Sequence, residues 1–406
     1  MQKPSQFVND LNVRGALSRR NLLASAALLA VRKQARAQRY TPSVLAYVGA
    51  YTPNGLGIYL MSLNLNTGAL TQLKVVSTVQ SPSWIELSPN GKNLYAVNEI
   101  SNFNGGTNGS VTSFAVDPST GNLTQLNVVS SQGGGPAHLS VDPQGQFVYV
   151  ANYGGGSIAV LPILSDGSLG NASDVHFDIG SVGPTQPTNA PPGSFAISGH
   201  DAPHAHMIHA DPSGTYVFST DLGQDRIYSW TINRTSGKLI PNSPPFYNVP
   251  PGDGPRHFVF SPNGQFLYSI QEEASTIIAW QYNGAGALNQ VQMVSTLPPG
   301  FVGTNFTSEI RISADGNTVY GANRLHDSIA ILNVNRDGTL SYVGETWTRG
   351  DYPRSFTIDP TGNYLVSCNQ RSDALTTFRV GNNGQSLTFT GQYTPIGSPA
   401  IIIFLG

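Results

Sequence analysis

The chain has 406 residues, enough for one large core or two ordinary ones, and only 11% of them are charged, where soluble domains carry roughly 25%. A formal charge of −2 excludes a basic nucleic-acid groove, and a single cysteine, Cys368, excludes an intrachain disulfide framework and a thiolate metal cluster. With 44 Gly, 28 Pro and 9% aromatics, the composition is that of turn-rich β structure.

The N-terminus reads as an address. Ser18, Arg19, Arg20 and Asn21 lead into a short apolar run, Leu22 to Val31, then Arg32, Lys33 and the small residues Ala35 and Ala37. This is the pattern of a twin-arginine export signal over 1–37, with an apolar stretch too short to span a bilayer. Residues 38–406 are then the folded part, placed in the periplasm or outside the cell. No later stretch approaches 18 consecutive apolar residues, so the exported form is expected to lack a membrane span. Of the 21 Lys and Arg, seven lie in the signal against one acidic residue. The remainder holds 14 against 22, a charge of −8.

Beyond the signal an eight-residue pattern recurs: Pro or a small residue first, a turn residue at the eighth place, Gly two residues later. Copies start at Pro82, Pro136, Ala205, Pro255, Thr307 and Pro353, and a seventh starts at Pro399 and runs off the C-terminus. The spacings are 54, 69, 50, 52, 46 and 46, a period of blades or solenoid coils. Each turn leads into a β-branched and aromatic run such as Phe147 to Asn152, then a third run such as Ser157 to Leu161, then an Asp-Gly or Thr-Gly turn and a fourth strand. Four antiparallel strands per repeat predict an all-β propeller of seven blades. Leu45 to Tyr51 resembles a second strand lacking its first, and Pro399 to Phe404 a first strand lacking its second. Joining them closes the last blade and hides both edges.

In such a blade the start of the innermost strand meets the end of the second at one face of the ring. The first set comprises Ser83/Trp84, Ala137/His138, His206/Met207, Arg256/His257, Ser308/Glu309 and Arg354/Ser355. The second comprises Ala50/Tyr51, Asn98/Glu99, Asn152/Tyr153, Asp221/Leu222, Gln271/Glu272, Asn323/Arg324 and Asn369/Gln370. A charge-poor scaffold with Arg256, Arg324 and Arg354 on one face predicts binding of an anion or stabilisation of an oxyanion there. The recurrent Asn98, Asn152, Asn323 and Asn369 read as blade structure. His138 and His257 suit either the pocket or its floor, and Arg256 and Arg354 are candidates to pair with carboxylates such as Glu309. His204 and His206 stand at alternate positions and share a face if the strand includes both, which opens a metal-ligand reading that lacks a third ligand. The Pro-, Gly- and Ser-rich stretch 180–203 accounts for the longest spacing and reads as a lid or as a disordered insertion.

From about Ser43 onward the chain resembles the seven-bladed propeller lactonases, a family that includes bacterial 6-phosphogluconolactonases and fungal carboxy-muconate lactonising enzymes. The resemblance is carried in order by Tyr47–Thr52, Gly135–His138, Ala151–Gly154, Pro203–His206, Asp221–Arg226, Gly254–His257, Ser308–Arg311 and Asn323–Arg324. It implies a metal-independent pocket in which a His, two Arg and a Glu handle the lactone. By motif these fall on His206, Arg256, Glu272 and Arg324 as catalytic residues, with Arg311 and Arg354 competing for the last place. His138, His204, His257, Glu309, Arg311 and Arg354 are the substrate-binding candidates. Gln271 departs from the Asn usual before the Glu, and Ala205 from the Pro of the paired-His motif.

The expected function is hydrolysis of a sugar-acid or related anionic lactone, with no cofactor, no metal and no nucleic-acid partner. The export signal puts a cytoplasmic sugar-phosphate substrate in question. Two other readings stay open: a muconate-type lactonising cycloisomerase, which would use the same Arg pair, and a non-catalytic exported propeller that binds carbohydrate or protein. The last is motivated by Tyr149–Asn152, which also resembles the repeats of surface-layer propellers. Asn98, Asn152 and Asp221 could supply a calcium site of the kind found in other propeller lactonases, but the repetition of Asn assigns it to the scaffold.

Overall fold

The computed structural model describes residues 42–196 and 199–405; the export signal expected at 1–37 lies outside them. Seven four-stranded antiparallel sheets follow one another around a ring, six of them ordered from an innermost to an outermost strand in chain order. Blade I begins at Ile85–Leu87, and blades II to VI begin at Pro136–Val141, Ala205–Ala210, Pro255–Phe260, Thr307–Ile312 and Pro353–Ile358. Blade VII is assembled from both ends of the chain. Ser43–Ala50 pairs with Ile58–Asn64 on one side and with the innermost strand Pro399–Phe404 on the other, Val48 facing Ile402. Closure pairs Ser43–Ala50 on both sides and makes Pro399–Phe404 the innermost strand of its sheet.

The eight-residue pattern has a local cause at each end. Its seventh residue is Ser88, Asp142, Asp211, Ser261, Ser313 or Asp359, whose side chain accepts backbone N–H groups across the turn. Asn93 N–H donates to Ser88 Oγ at 3.0 Å, and Tyr216 N–H to Asp211 Oδ1 at 3.0 Å. The Gly three residues on has a positive φ, between 66° and 75° at the six turns. At Gly91, Gly264 and Gly362 a Cβ would meet nothing, so the requirement there is backbone conformation and not space.

Successive blades are joined by polar latches through an apolar seam. Tyr47, Tyr95, Tyr268 and Tyr320, all buried on second strands, donate to the carbonyls of Gly121, Gly167, Gly338 and Gly384 in the outer hairpin of the next blade, at 2.6–3.1 Å. Hydroxyls tie each innermost strand to the preceding blade, as where Thr220 Oγ1 on a second strand donates to Arg256 O at 2.7 Å and Ser308 Oγ on an innermost strand to Pro353 O at 2.6 Å. The apolar clusters between blades follow the same seam: Tyr268, Ile270 and Ile277 of blade IV pack with Ile310, Val319 and Leu332 of blade V.

The insertion 180–203 is held against the loops of blades III and IV. Gly183 N–H donates to Gly223 O at 2.8 Å, and Ser194–Phe195 runs parallel to Gly303–Thr304 as a two-residue pair. Its described residues therefore have specific partners, which favours an ordered cover over a disordered insertion.

Candidate active site

Register brings the two sets of side chains together. Pro255 lies opposite Gln271, Ala205 opposite Asp221, Thr307 opposite Asn323 and Pro353 opposite Asn369. In blades II to VI the register slips just after the innermost strand begins, between Pro255 and His257 in blade IV. Such a bulge breaks the alternation of faces, and here both Arg256 and His257 reach the channel side.

Glu272 is the centre of the cluster. Its Oε2 lies 2.8 Å from Arg256 Nε and its Oε1 2.6 Å from Arg324 Nη2. Arg256 and Arg324 are 2% and 5% exposed. Arg256 Nη1 donates to Ser308 O at 2.5 Å, and Arg324 Nη1 to Tyr352 Oη at 3.2 Å. Burial alone would raise the Glu272 carboxyl, but Arg324 and Arg256 outweigh it and hold the group below the usual range, so it is ionised. Burial and the neighbouring Arg324 bring Arg256 down to about 10, still protonated at neutral pH.

A second pair adjoins the first: Arg354 Nη2 lies 3.3 Å from Glu99 Oε2, which accepts from Tyr51 Oη at 2.5 Å. With three arginines and two glutamates, this face carries an excess positive charge of one on an acidic scaffold. Beside it stands His206, buried, with Nδ1 lacking a hydrogen-bond partner. Burial first, then Arg256, depresses its pKa well below the ordinary value, so the imidazole is neutral. The rings of His206, His257, His138 and Trp84 form a partition across the channel. Centroid separations are 5.0 Å for His206–His257, 5.4 Å for His138–His257, 5.1 Å for Trp84–His257 and 4.4 Å for Trp84–His138.

Several candidates are placed differently from the sequence reading. Sequence pairs Arg256 and Arg354 with Glu309; the structure gives them Glu272 and Glu99 instead. Glu309 lies 3.4 Å from His257 Nδ1 and 3.5 Å from Arg311 Nε. Arg311 is not in the Glu272 cluster: it lines a separate cavity with Trp84 and His138, because two further residues along the innermost strand carry it past the partition. His138 and His257 belong to that partition. His204 precedes its strand, which starts at Ala205, and the bulge follows, so it does not share a face with His206. Its Nδ1 bonds Tyr153 O and its Nε2 bonds Asp201 Oδ1, both at 2.9 Å, and its ring stacks on Tyr153 at 4.2 Å. A His204/His206 metal pair therefore does not form, and among the described residues no group of three His, Cys, Asp or Glu is arranged to hold a metal ion.

Sequence reasoning passes over Glu99, Tyr51 and Tyr352. Glu99 and Tyr51 occupy the same blade position as Glu272 and Arg324, which is the signal that finds them. Tyr352 lies just before its strand and has no such signal. Glu273 is the fourth omission: it accepts from Gly199 N–H at 3.0 Å and anchors the insertion beside Glu272. Burial and the Glu272 charge push its carboxyl well above the usual range. Gly254 makes room for it, since a Cβ there would lie 1.9 Å from Glu273 Oε2.

Comparison with known proteins agrees with this geometry. The family model for the lactonases with a seven-bladed β-propeller matches residues 45–404. The chain is 33% identical to a 6-phosphogluconolactonase of Bacillus subtilis over 89% of its own length and 98% of that protein. A crystal structure described as a putative 6-phosphogluconolactonase from Bacteroides fragilis superposes with a TM-score of 0.80 at 32% identity, covering 91% of this chain and 99% of the other. The periplasmic gluconolactonase of Pseudomonas aeruginosa matches with a TM-score of 0.80 at 29% identity, over 90% and 99% of the two chains. The chain belongs to the seven-bladed β-propeller lactonase family.

Proposed function

We propose that the protein hydrolyses lactones of sugar acids, using Arg256, Arg324, Glu272 and His206, and that it does so after export. The observation that carries this reading is an ionised carboxylate bridging two buried guanidinium groups beside a neutral, unengaged imidazole. Both Glu272 oxygens are already on arginines, so its part is to fix the two guanidiniums, and His206 is left as the base. The carbonyl oxygen of the lactone lies toward Arg256 and Arg324. Water attacks the carbonyl carbon as His206 takes its proton, and the arginines stabilise the oxyanion that forms. The ring C–O bond then breaks, and the leaving alkoxide recovers the proton from the imidazolium. One lactone and one water become one open hydroxy acid, whose carboxyl group forms where the lactone carbonyl stood, beside Arg256 and Arg324.

The names of the relatives support a sugar-acid lactone. The pattern at 1–37 and the likeness to a periplasmic gluconolactonase support an unphosphorylated substrate met outside the cytoplasm. The test is turnover of glucono-δ-lactone, 6-phosphogluconolactone and other sugar lactones by the mature protein, measured above spontaneous hydrolysis. Failure on all of them, or an unchanged rate in His206→Ala, overturns the assignment. Export is tested separately: Lys at both Arg19 and Arg20 should leave the protein in the cytoplasmic fraction.

A further inference from the structure

On the far side of the partition lies a cavity of about 370 Å³, within the range of small-molecule sites. Six blades contribute to it, and most of its wall is apolar: Trp84, Met207, Phe258 and Ile403 among others. Five polar residues break that wall, namely Glu86, His138, His209, Asp211 and Arg311; Asp211 is already engaged by Ser213, the Thr215 and Tyr216 N–H groups and Tyr282. None of them enters the lactone chemistry.

Their arrangement is incomplete. Arg311 forms an ion pair with Glu309 at 3.5 Å through Nε, without hydrogen-bond alignment, its guanidinium lies over the Trp84 ring at 5.6 Å, and its side chain is one-third exposed. Glu86 accepts Val141 N–H at 3.1 Å through Oε1, and no ion pair within 4 Å joins it to Arg311 although both line the same cavity. His209 Nδ1 donates to Ala210 O at 2.6 Å. His138, only 1% exposed, has no partner for Nδ1 and forms part of the wall. A buried polar atom left unmet is unfavourable, so the wall has capacity for a polar guest. The guanidinium marks the place of an anion, and the aromatic and thioether surface beside it marks an apolar body.

We propose that this lower cavity binds a small carboxylic acid with an aromatic or branched aliphatic body, its carboxylate on Arg311 and its apolar part against Trp84, Met207 and Phe258. Glu86 and His209 then receive any polar substituent at the other end. The site is independent of the lactone reading, since the partition of Trp84, His138 and His257 stands between the two.

Titration calorimetry of the full mature protein with 3-phenylpropionate and with 4-methylvalerate tests it. At least one acid should bind, its uncharged amide should bind tenfold or more weakly, and Arg311→Met should weaken the acid tenfold or more. Val259→Trp, which fills the cavity from a partly exposed position, should abolish binding with the unfolding midpoint retained. Gluconate in excess should not compete. The proposal is overturned if neither acid binds, if Arg311→Met or Val259→Trp binds like the parent, or if gluconate displaces the acid and so assigns it to the Glu272 side.

Discussion

At the end of each blade's second strand, two adjacent residues behave in opposite ways. The first is a scaffold residue. Asn98 donates to Ser110 and Thr112 hydroxyls, Asn152 to Ser131 O and Ser157 Oγ, Asn323 to Thr296 O and Ser328 Oγ, and Asn369 to Thr348 O and Thr376 Oγ1. Each ties the second strand to the third or to the loop that enters its own blade from the one before. The following residue is Glu99, Tyr153, Arg324 or Gln370, and Glu272 in blade IV; their backbone N–H groups share one bond, to the segment entering the innermost strand, but their side chains share none. Repetition around the ring therefore marks what holds blades together, and departure from it marks the chemistry.

The largest expected effect is on the departing set. Arg256→Met or Arg324→Met should lower kcat/KM on the order of 10²–10³-fold, the usual loss for one oxyanion donor. Fold should survive, because the remaining arginine still neutralises Glu272, and circular dichroism with steady-state kinetics checks both. Loss of activity confined to KM would move these residues from transition state to substrate binding.

On the repeated set the effect moves from rate to stability. Asn369→Ala removes two buried bonds, which should cost about 1–3 kcal/mol in denaturant unfolding. Since the side chain of Asn369 bonds Thr348 and Thr376 and none of the Glu272 cluster, kcat/KM should stay within about twofold. A large fall in rate at equal folded fraction would break the division between the two positions.

A smaller effect is expected with pH. The assigned base, His206, is depressed well below its ordinary value, chiefly by burial. It must be neutral to act, so the acid limb of kcat/KM should lie below pH 6.5. An imidazole of ordinary pKa would lose about fourfold in rate by pH 6, and the parent should lose almost none. A limb centred at 6.5 or higher would point to another base.

The blade count and its closure are legible in the sequence because seven starts of one pattern appear there, and because the two ends are complementary. The arginine partners are not. Glu99 and Arg354 are 255 positions apart and meet only because the ring closes between blades VI and I. The alternation rule, sound within a strand, fails at the bulges, which is why Glu309 looked like a partner for Arg256 and His204 like a neighbour of His206. Arg311 was readable as an inward residue, but its depth along the channel was not. Which side of a partition a residue occupies depends on side chains from several blades at once.

Blade IV departs from the scaffold rule next to the residue that carries the site, and this yields the smallest and most specific test. Gln271, one methylene longer than Asn, turns back to Ser269 O and Ser269 Oγ on its own strand, at 2.9 and 2.8 Å. Thr276 on the third strand, the counterpart of Ser328 in blade V, is left with a buried hydroxyl that has no partner. The tie between second and third strands is thus missing where Glu272 and Glu273 emerge. Gln271→Asn should restore a bond to Thr276 Oγ1 and raise stability by about 0.5–1.5 kcal/mol, the net worth of one internal hydrogen bond. Thr276→Val in that background should remove the gain, whereas in the parent it should cost little, because the hydroxyl there is unmet. If the restored tie also lowers kcat/KM, the looseness of blade IV serves the placement of Glu272; if the rate is unchanged, Gln271 is a scaffold variation without catalytic consequence.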